Sequence, residues 1–81
     1  MRVCVRFFAQ LRDLTRAETL EINLPDGAGV VDLLGEVYVR FPGLRAHDQS
    51  ILIGAGVEFV DRNYKLKDKE EIAIMPPVQG G

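Results

Sequence analysis

Gly29-Val30-Val31-Asp32-Leu33-Leu34-Gly35-Glu36-Val37-Tyr38-Val39-Arg40-Phe41-Pro42-Gly43 is the stretch on which the fold turns. Val30, Leu33, Leu34, Val37, Tyr38 and Phe41 fall at the i, i+3, i+4, i+7 spacing of one helical face, and Asp32, Glu36 and Arg40 take the opposite face. Gly29 stands at the N-cap, Asp32 favours the positive end of the helix dipole, and Phe41-Pro42-Gly43 stops the helix. Gly35 costs the helix about 1 kcal/mol relative to alanine, so a close packing partner is expected there.

On either side of this helix the period changes to two. Upstream, Val3, Val5 and Phe7 alternate with Arg2, Cys4, Arg6 and Phe8, which predicts a strand with its odd positions on the core. Ala9 to Ala17 reads as polar and irregular, anchored by Leu11 and Leu14. Leu20, Ile22 and Leu24 alternate with Thr19, Glu21 and Asn23 in a second strand, closed by the turn Pro25-Asp26-Gly27. Downstream, Ile51-Leu52-Ile53 is a strand, Gly54-Ala55-Gly56 breaks it, and Val57 to Val60 resumes as a short one. Asp61-Arg62-Asn63 turns, Leu66 plugs the core, and Glu71 to Met75 is the last strand with Ile72 and Ile74 inward. Strand, strand, helix, strand, short strand, strand is the order of an α+β, ubiquitin-like β-grasp. It has a mixed sheet with one main helix across one face, and the first and last strands lie parallel at its centre. The expected division is a domain over 1–75 and a projecting tail over 76–81. The helix-free face then carries Cys4, Phe8, Ala73, Met75 and Phe59, an apolar set for a solvent side.

The chain has 81 residues, 47% apolar and 27% charged, with a net charge of −2, which fits one small globular domain. There is no basic stripe to bind nucleic acid. The mixed charges from Lys65 to Glu71 read as a solvated turn. A single cysteine, Cys4, allows no internal disulfide, and His47 has no companions with which to hold a metal. His47 reads as a surface residue. No apolar run could span a bilayer and nothing resembles a signal peptide, so a cytoplasmic chain is expected.

The end, Pro76-Pro77-Val78-Gln79-Gly80-Gly81, carries the chemistry. Proline cannot donate to a sheet ladder, so the pair stops the last strand and projects the chain outward. Two glycines can thread a narrow channel and bring a carboxylate to a reactive centre, where it can be activated as an acyl intermediate. A frayed terminus fits the same residues, and the tail alone does not decide between the two.

Val5-Arg6-Phe7-Phe8-Ala9-Gln10-Leu11-Arg12-Asp13, together with Met75-Pro76-Pro77-Val78-Gln79-Gly80-Gly81, closely resembles the molybdopterin synthase small-subunit family of β-grasp sulfur carriers. The resemblance covers essentially the whole chain. It implies that the Gly81 carboxylate is adenylated, with ATP consumed by an adenylyltransferase related to ubiquitin-activating enzymes. A sulfur donor, such as a cysteine desulfurase or a rhodanese, then converts it to a thiocarboxylate. The tail, Pro76, Pro77, Val78, Gln79 and Gly80, enters the large synthase subunit and delivers sulfur to cyclic pyranopterin monophosphate. That makes the dithiolene of the molybdenum cofactor. Catalytic residues belong to the large subunit, in a heterotetramer of two small and two large subunits. No tightly bound cofactor and no metal are implied for this chain.

The resemblance also places Phe8, Phe59 and Met75 in a partner-facing apolar patch, with Arg12 near it; Met75 stands where an aromatic is common. Gly56 stands where asparagine is frequent, and Lys69 replaces the glycine of a turn before the last strand. Other destinations stay open: sulfur for thiamine or tRNA thiolation, attachment to proteins as a ubiquitin-like modifier, or a passive interaction module.

Overall fold

The computed structural model describes residues 1–77; Val78, Gln79, Gly80 and Gly81 lie outside them. Five strands form one sheet: β1 (Arg2–Phe7), β2 (Thr19–Asn23), β3 (Leu52–Ala55), β4 (Glu58–Val60) and β5 (Glu71–Met75). Two helices, α1 (Gln10–Thr15) and α2 (Val30–Arg40), and a 3₁₀ helix, Pro42–His47, complete the described elements. The sheet order is β2-β1-β5-β3-β4. β1 and β5 pair in parallel at the centre, with Val5 opposite Ile72 and Phe7 opposite Ile74, while the other pairings are antiparallel. The expected mixed β-grasp sheet is present.

α2 covers one face because the two periodicities agree on which side is apolar. Val3, Val5 and Phe7 on β1, Ile22 on β2, and Ile72 and Ile74 on β5 are buried against Val30, Leu33, Leu34 and Val37. Phe41 adds an edge-to-face contact with Phe7, ring centroids 5.8 Å apart. Leu66 plugs the open end, as its isolation among polar residues predicts.

The start of α2 is tied to the 62–64 turn. Val30 N–H donates to the Tyr64 carbonyl at 3.0 Å, and Val31 N–H to that of Arg62 at 3.2 Å, so two otherwise orphaned donors are satisfied. The Asp32 carboxylate accepts the Gly29 N–H at 2.9 Å. A Cβ on Gly29 would stand 3.1 Å from the Tyr64 carbonyl oxygen, tighter than an ordinary contact, so this close approach favours glycine.

Four local expectations are corrected. Ala9 to Ala17 is not irregular: it holds α1, six residues long, too short for its periodicity to show. Leu11 is buried there, but Leu14 is 53% exposed; Thr15 is buried in its place, its hydroxyl bonded to the carbonyls of Arg12 and Ala17. Gly54 and Ala55 continue β3 instead of breaking it, because both pair with β5 and the turn comes at Gly56, φ +64°. Gly35 packs against nothing: a Cβ there would meet no atom within 4 Å. His47, read as a surface residue, is half-buried.

Candidate functional site

The helix-free face of the sheet is organised in rows set by register. Arg6 on β1 lies opposite Ala73 on β5, Ala73 opposite Gly54 on β3, and Gly54 opposite Phe59 on β4. One row above, Met75 lies opposite Leu52. Beyond the end of β1, Phe8 donates its N–H to the Ile74 carbonyl at 3.2 Å, which extends the ladder and brings Phe8 alongside β5. The result is a shallow recess of about 250 Å³ lined by Phe8, Gly54, Gly56, Val57, Phe59, Ala73 and Met75, with Glu58 as its one charged residue. Gly54 is its floor, since any side chain at that position would project into it, and the Met75 Cε stands 3.1 Å from where a Cβ would be. Phe8 is 40% and Phe59 65% exposed, and Val57 is fully exposed. Aromatic and methionine side chains gathered on a solvent face around a recess are the composition of a protein-binding patch.

The backbone holds Phe8 in place at some cost. Ala9 has φ +53° and ψ −132°, a region that L-residues seldom occupy and that costs about 1–3 kcal/mol. This bend turns the chain from β1 into α1, so that Leu11 points into the core while Phe8 remains on the outer face.

The site residues expected from the sequence separate into three groups. Phe8, Phe59 and Met75 come together in the recess. Arg12 does not line it. Arg12 is exposed on α1, 4.0 Å from the Glu18 carboxylate, which is 3.6 Å from Arg6, and Arg6 in turn is 3.3 Å from Glu71. These exposed pairs contribute little stability; they form a charged border on the β1 side of the apolar patch. Of the tail, Pro76 is half-buried and Pro77 exposed at the same end of the sheet as the recess, directly after Met75. Val78, Gln79, Gly80 and Gly81 lie outside the described residues. Gly54 and Val57 escaped the sequence reading. The signal for Gly54 was its place one residue after inward Ile53, which puts it on the outer face of a continuing strand.

Of the titratable residues, Glu58 lines the recess; those whose pKa is shifted lie away from it. Cys4 is half-buried on β1 between Glu21 of β2 and Glu71 of β5. Tyr38 on α2 is pushed up to about 12, first by burial and then by its hydrogen bond to Asp48. Asp48 also takes Arg62, whose guanidinium donates to its backbone carbonyl and lies 3.3 Å from its carboxylate. Asp68 is held below the usual carboxylate range, chiefly by the Arg2 backbone N–H at 2.9 Å. No group of three His, Cys, Asp or Glu side chains among the described residues is placed to hold a metal ion, and no helix among them is long and apolar enough to cross a membrane. The recess offers contact surface: Glu58 is the one ionisable side chain on its lining, and Cys4 stands outside it.

Comparison with known proteins agrees with a surface made for a partner. Residues 5–81 match the model of the ThiS family. The chain is 32% identical to the molybdopterin synthase sulfur carrier subunit of Chlamydomonas reinhardtii, over the full length of both. It superposes on a chain in the complex of subunits 1 and 2 of molybdopterin-converting factor from Helicobacter pylori 26695, with a TM-score of 0.70, 29% identity and full coverage of both chains. It also superposes on the small archaeal modifier protein 1 of Methanosarcina acetivorans, with a TM-score of 0.81 and 28% identity over 99% of this chain and 96% of that one.

Proposed function

The chain belongs to the ThiS family, and from that premise we propose that it is the sulfur-carrying small subunit of molybdopterin synthase. The observation that carries the reading is the junction of patch and tail. Met75 is at once the last residue of the central strand β5, a wall of the apolar recess, and the residue before Pro76-Pro77. A partner seated on Phe8, Phe59 and Met75 would therefore hold the root of the tail. The six residues after Met75 reach about 20 Å when extended, enough to enter a neighbouring subunit.

In this reading the Gly81 carboxylate is the reacting group. ATP transfers its adenylyl group to that carboxylate on an activating enzyme, with pyrophosphate leaving. The terminal sulfur of a donor's persulfide then attacks the acyl adenylate and AMP leaves; a thiol cleaves the resulting acyl disulfide, giving the thiocarboxylate and a disulfide. Pro76 and Pro77 stiffen the exit, and Val78, Gln79 and Gly80 thread the large subunit's channel, where a side chain at position 80 or 81 would clash. Sulfur passes to cyclic pyranopterin monophosphate there, through catalytic residues on the large subunit, and hydrolysis returns Gly81 as free acid. The recess on this chain, mostly apolar and shallow, suits docking, which supports that division of labour.

The test is intact-protein mass spectrometry of the chain incubated with ATP, a sulfur source and a host extract competent for cofactor synthesis. Replacement of one oxygen by sulfur, localised to Gly81, is the expected result. An unmodified chain would sink the carrier reading. A covalent adduct to other proteins in place of the thiocarboxylate would move the chain to the modifier role borne by its Methanosarcina acetivorans relative. Deletion of Gly81 should abolish dithiolene formation and leave the fold intact.

A further inference from the structure

The outward side of α2 carries Val31, Gly35 and Val39, four residues apart, so they form one ridge along the helix. Val31 is 58% and Val39 72% exposed, although polar residues ordinarily occupy the solvent-facing side of such a helix. Gly35 notches the ridge at its middle. Nothing inside the chain favours glycine there, as it does at Gly29, because a Cβ would meet open space. Glycine nevertheless weakens the helix relative to alanine.

The two flanks of the ridge differ in charge. On the Tyr38 side is a cleft of about 530 Å³ with Arg45, Arg62 and Asp48 on its wall, basic on balance. On the Asp32 side is one of about 550 Å³ with Asp26, Asp32 and Glu36, acidic on balance although Arg40 follows Glu36 one turn along the helix. Several of these charges already have partners. Arg62 is held by Asp48, Asp32 takes the Gly29 N–H, and Asp26 is 3.6 Å from the N-terminal ammonium. Arg45, its guanidinium 5.2 Å from the Tyr38 ring centroid, and Glu36 make no ion pair among the described residues.

We infer that this side of α2 pairs with the same side of a second copy of the chain, Arg45 of each copy meeting Glu36 of the other across the notches at Gly35. The symmetry follows from the charges. A two-fold axis lying roughly along the helix exchanges its left and right flanks, so each basic cleft faces an acidic one. A two-fold axis across the helix would set basic on basic and acidic on acidic. Packing of i±4 ridges, at a crossing angle of about −50°, keeps the first arrangement and brings the backbones closest at the crossing point, where a notch relieves contact. Such a pairing is isologous and closed, so it stops at two copies. It also leaves the recess at Phe8, Phe59 and Met75 free, because that lies on the opposite face of the sheet from α2.

The experiment is sedimentation equilibrium of the full chain from micromolar to millimolar concentration at low salt. The mass should rise from 9.0 kDa towards twice that value, and added salt should reverse the rise. Arg45→Glu and Glu36→Arg should each weaken association by about tenfold or more. The double variant, which exchanges the two charges, should recover it, and Gly35→Leu should abolish it. A monomer throughout would overturn the inference. So would a dimer that ignores Arg45→Glu and Glu36→Arg but is lost in Phe59→Asp, since that dimer would use the sheet face.

Discussion

Met75 lies across Gly54, its Cε 3.1 Å from the point that a Cβ would occupy. The two residues sit on neighbouring antiparallel strands, and the missing side chain on one makes room for the flexible side chain of the other. The recess therefore depends on glycine for its depth. Gly54→Ala should leave stability within about 1 kcal/mol, because alanine restrains the unfolded chain while the Met75 end gives way. The displaced methionine then fills the recess, and affinity for the large synthase subunit should fall by about tenfold, or ~1.4 kcal/mol. Thermal unfolding and titration calorimetry measure the two effects; unchanged affinity would show that the recess is not a contact.

Phe8 and Phe59 stand on opposite sides of that recess and are exposed in the free chain. Replacing either with aspartate removes little packing but places a carboxylate on the face proposed to meet the large subunit. Phe8→Asp and Phe59→Asp should each cost the complex about 2 kcal/mol or more, the range of interface hot spots, with unfolding nearly unchanged. Arg12→Ala, on the charged border, should cost less and mainly slow association. Equal losses for Arg12 and Phe59 in binding kinetics would contradict this ranking.

Gly35→Ala should stabilise the chain. The site is exposed, mid-helix and sterically open, so alanine gains about 1 kcal/mol of helix propensity without a clash. For a domain of this size that raises Tm by about 4–8 °C, measured in dilute solution. A fall in Tm would mean that the glycine meets a need inside the fold.

Gly35 also marks the boundary of what the sequence could disclose. The helical face around it, the inward residues of β1, β2 and β5, and the Gly29 cap were legible because each rests on a local period or a local turn. The parallel pairing of β1 with β5 followed from strand order. The recess was half legible: Phe8, Phe59 and Met75 fall on the outer face by alternation. Their meeting depends on Gly54 continuing β3, which a Gly-Ala-Gly string conceals because glycine marks a break and a close approach alike. The same ambiguity operated at position 35, where glycine suggested a packed neighbour and the structure shows open solvent. α1 was missed because one and a half turns carry too few residues to display a period.

Tyr38 should be the last tyrosine to ionise. Its buried ring and its hydrogen bond to Asp48 favour the neutral phenol and push its pKa up to about 12 from 10.0. Below pH 10 both folded and unfolded chains hold the proton, and the stabilisation is fully present. Above it the unfolded chain ionises first, so this contribution is lost as pH rises towards about 12. With Tyr64→Phe, one phenol remains, and its ultraviolet titration should centre near that value. Tyr38→Phe should lower stability at neutral pH by about 1 kcal/mol, and the deficit should shrink above pH 10 as the wild-type advantage disappears. A midpoint near 10 would show that the Asp48 contact does not persist in solution.

Lys69 stands in the turn before β5 in a backbone conformation that favours glycine. Its φ is +66°, in the left-handed region, and its N–H donates to the Arg2 carbonyl at 2.7 Å, locking the turn to the start of β1. Gly56 also has a left-handed φ, a conformation that glycine accepts without steric cost. A lysine at φ +66° pays about 1–2 kcal/mol for its Cβ, whereas glycine adds about 0.5–1 kcal/mol of unfolded-state entropy. Lys69→Gly should therefore raise stability by about 0.5–1 kcal/mol, and Lys69→Val, β-branched at the same φ, should lower it. Because this turn lies at the far end of β5 from Met75, neither variant should alter affinity for the large subunit. Urea unfolding of the three chains orders them; a valine variant as stable as the glycine variant would show that the turn relaxes out of the left-handed region.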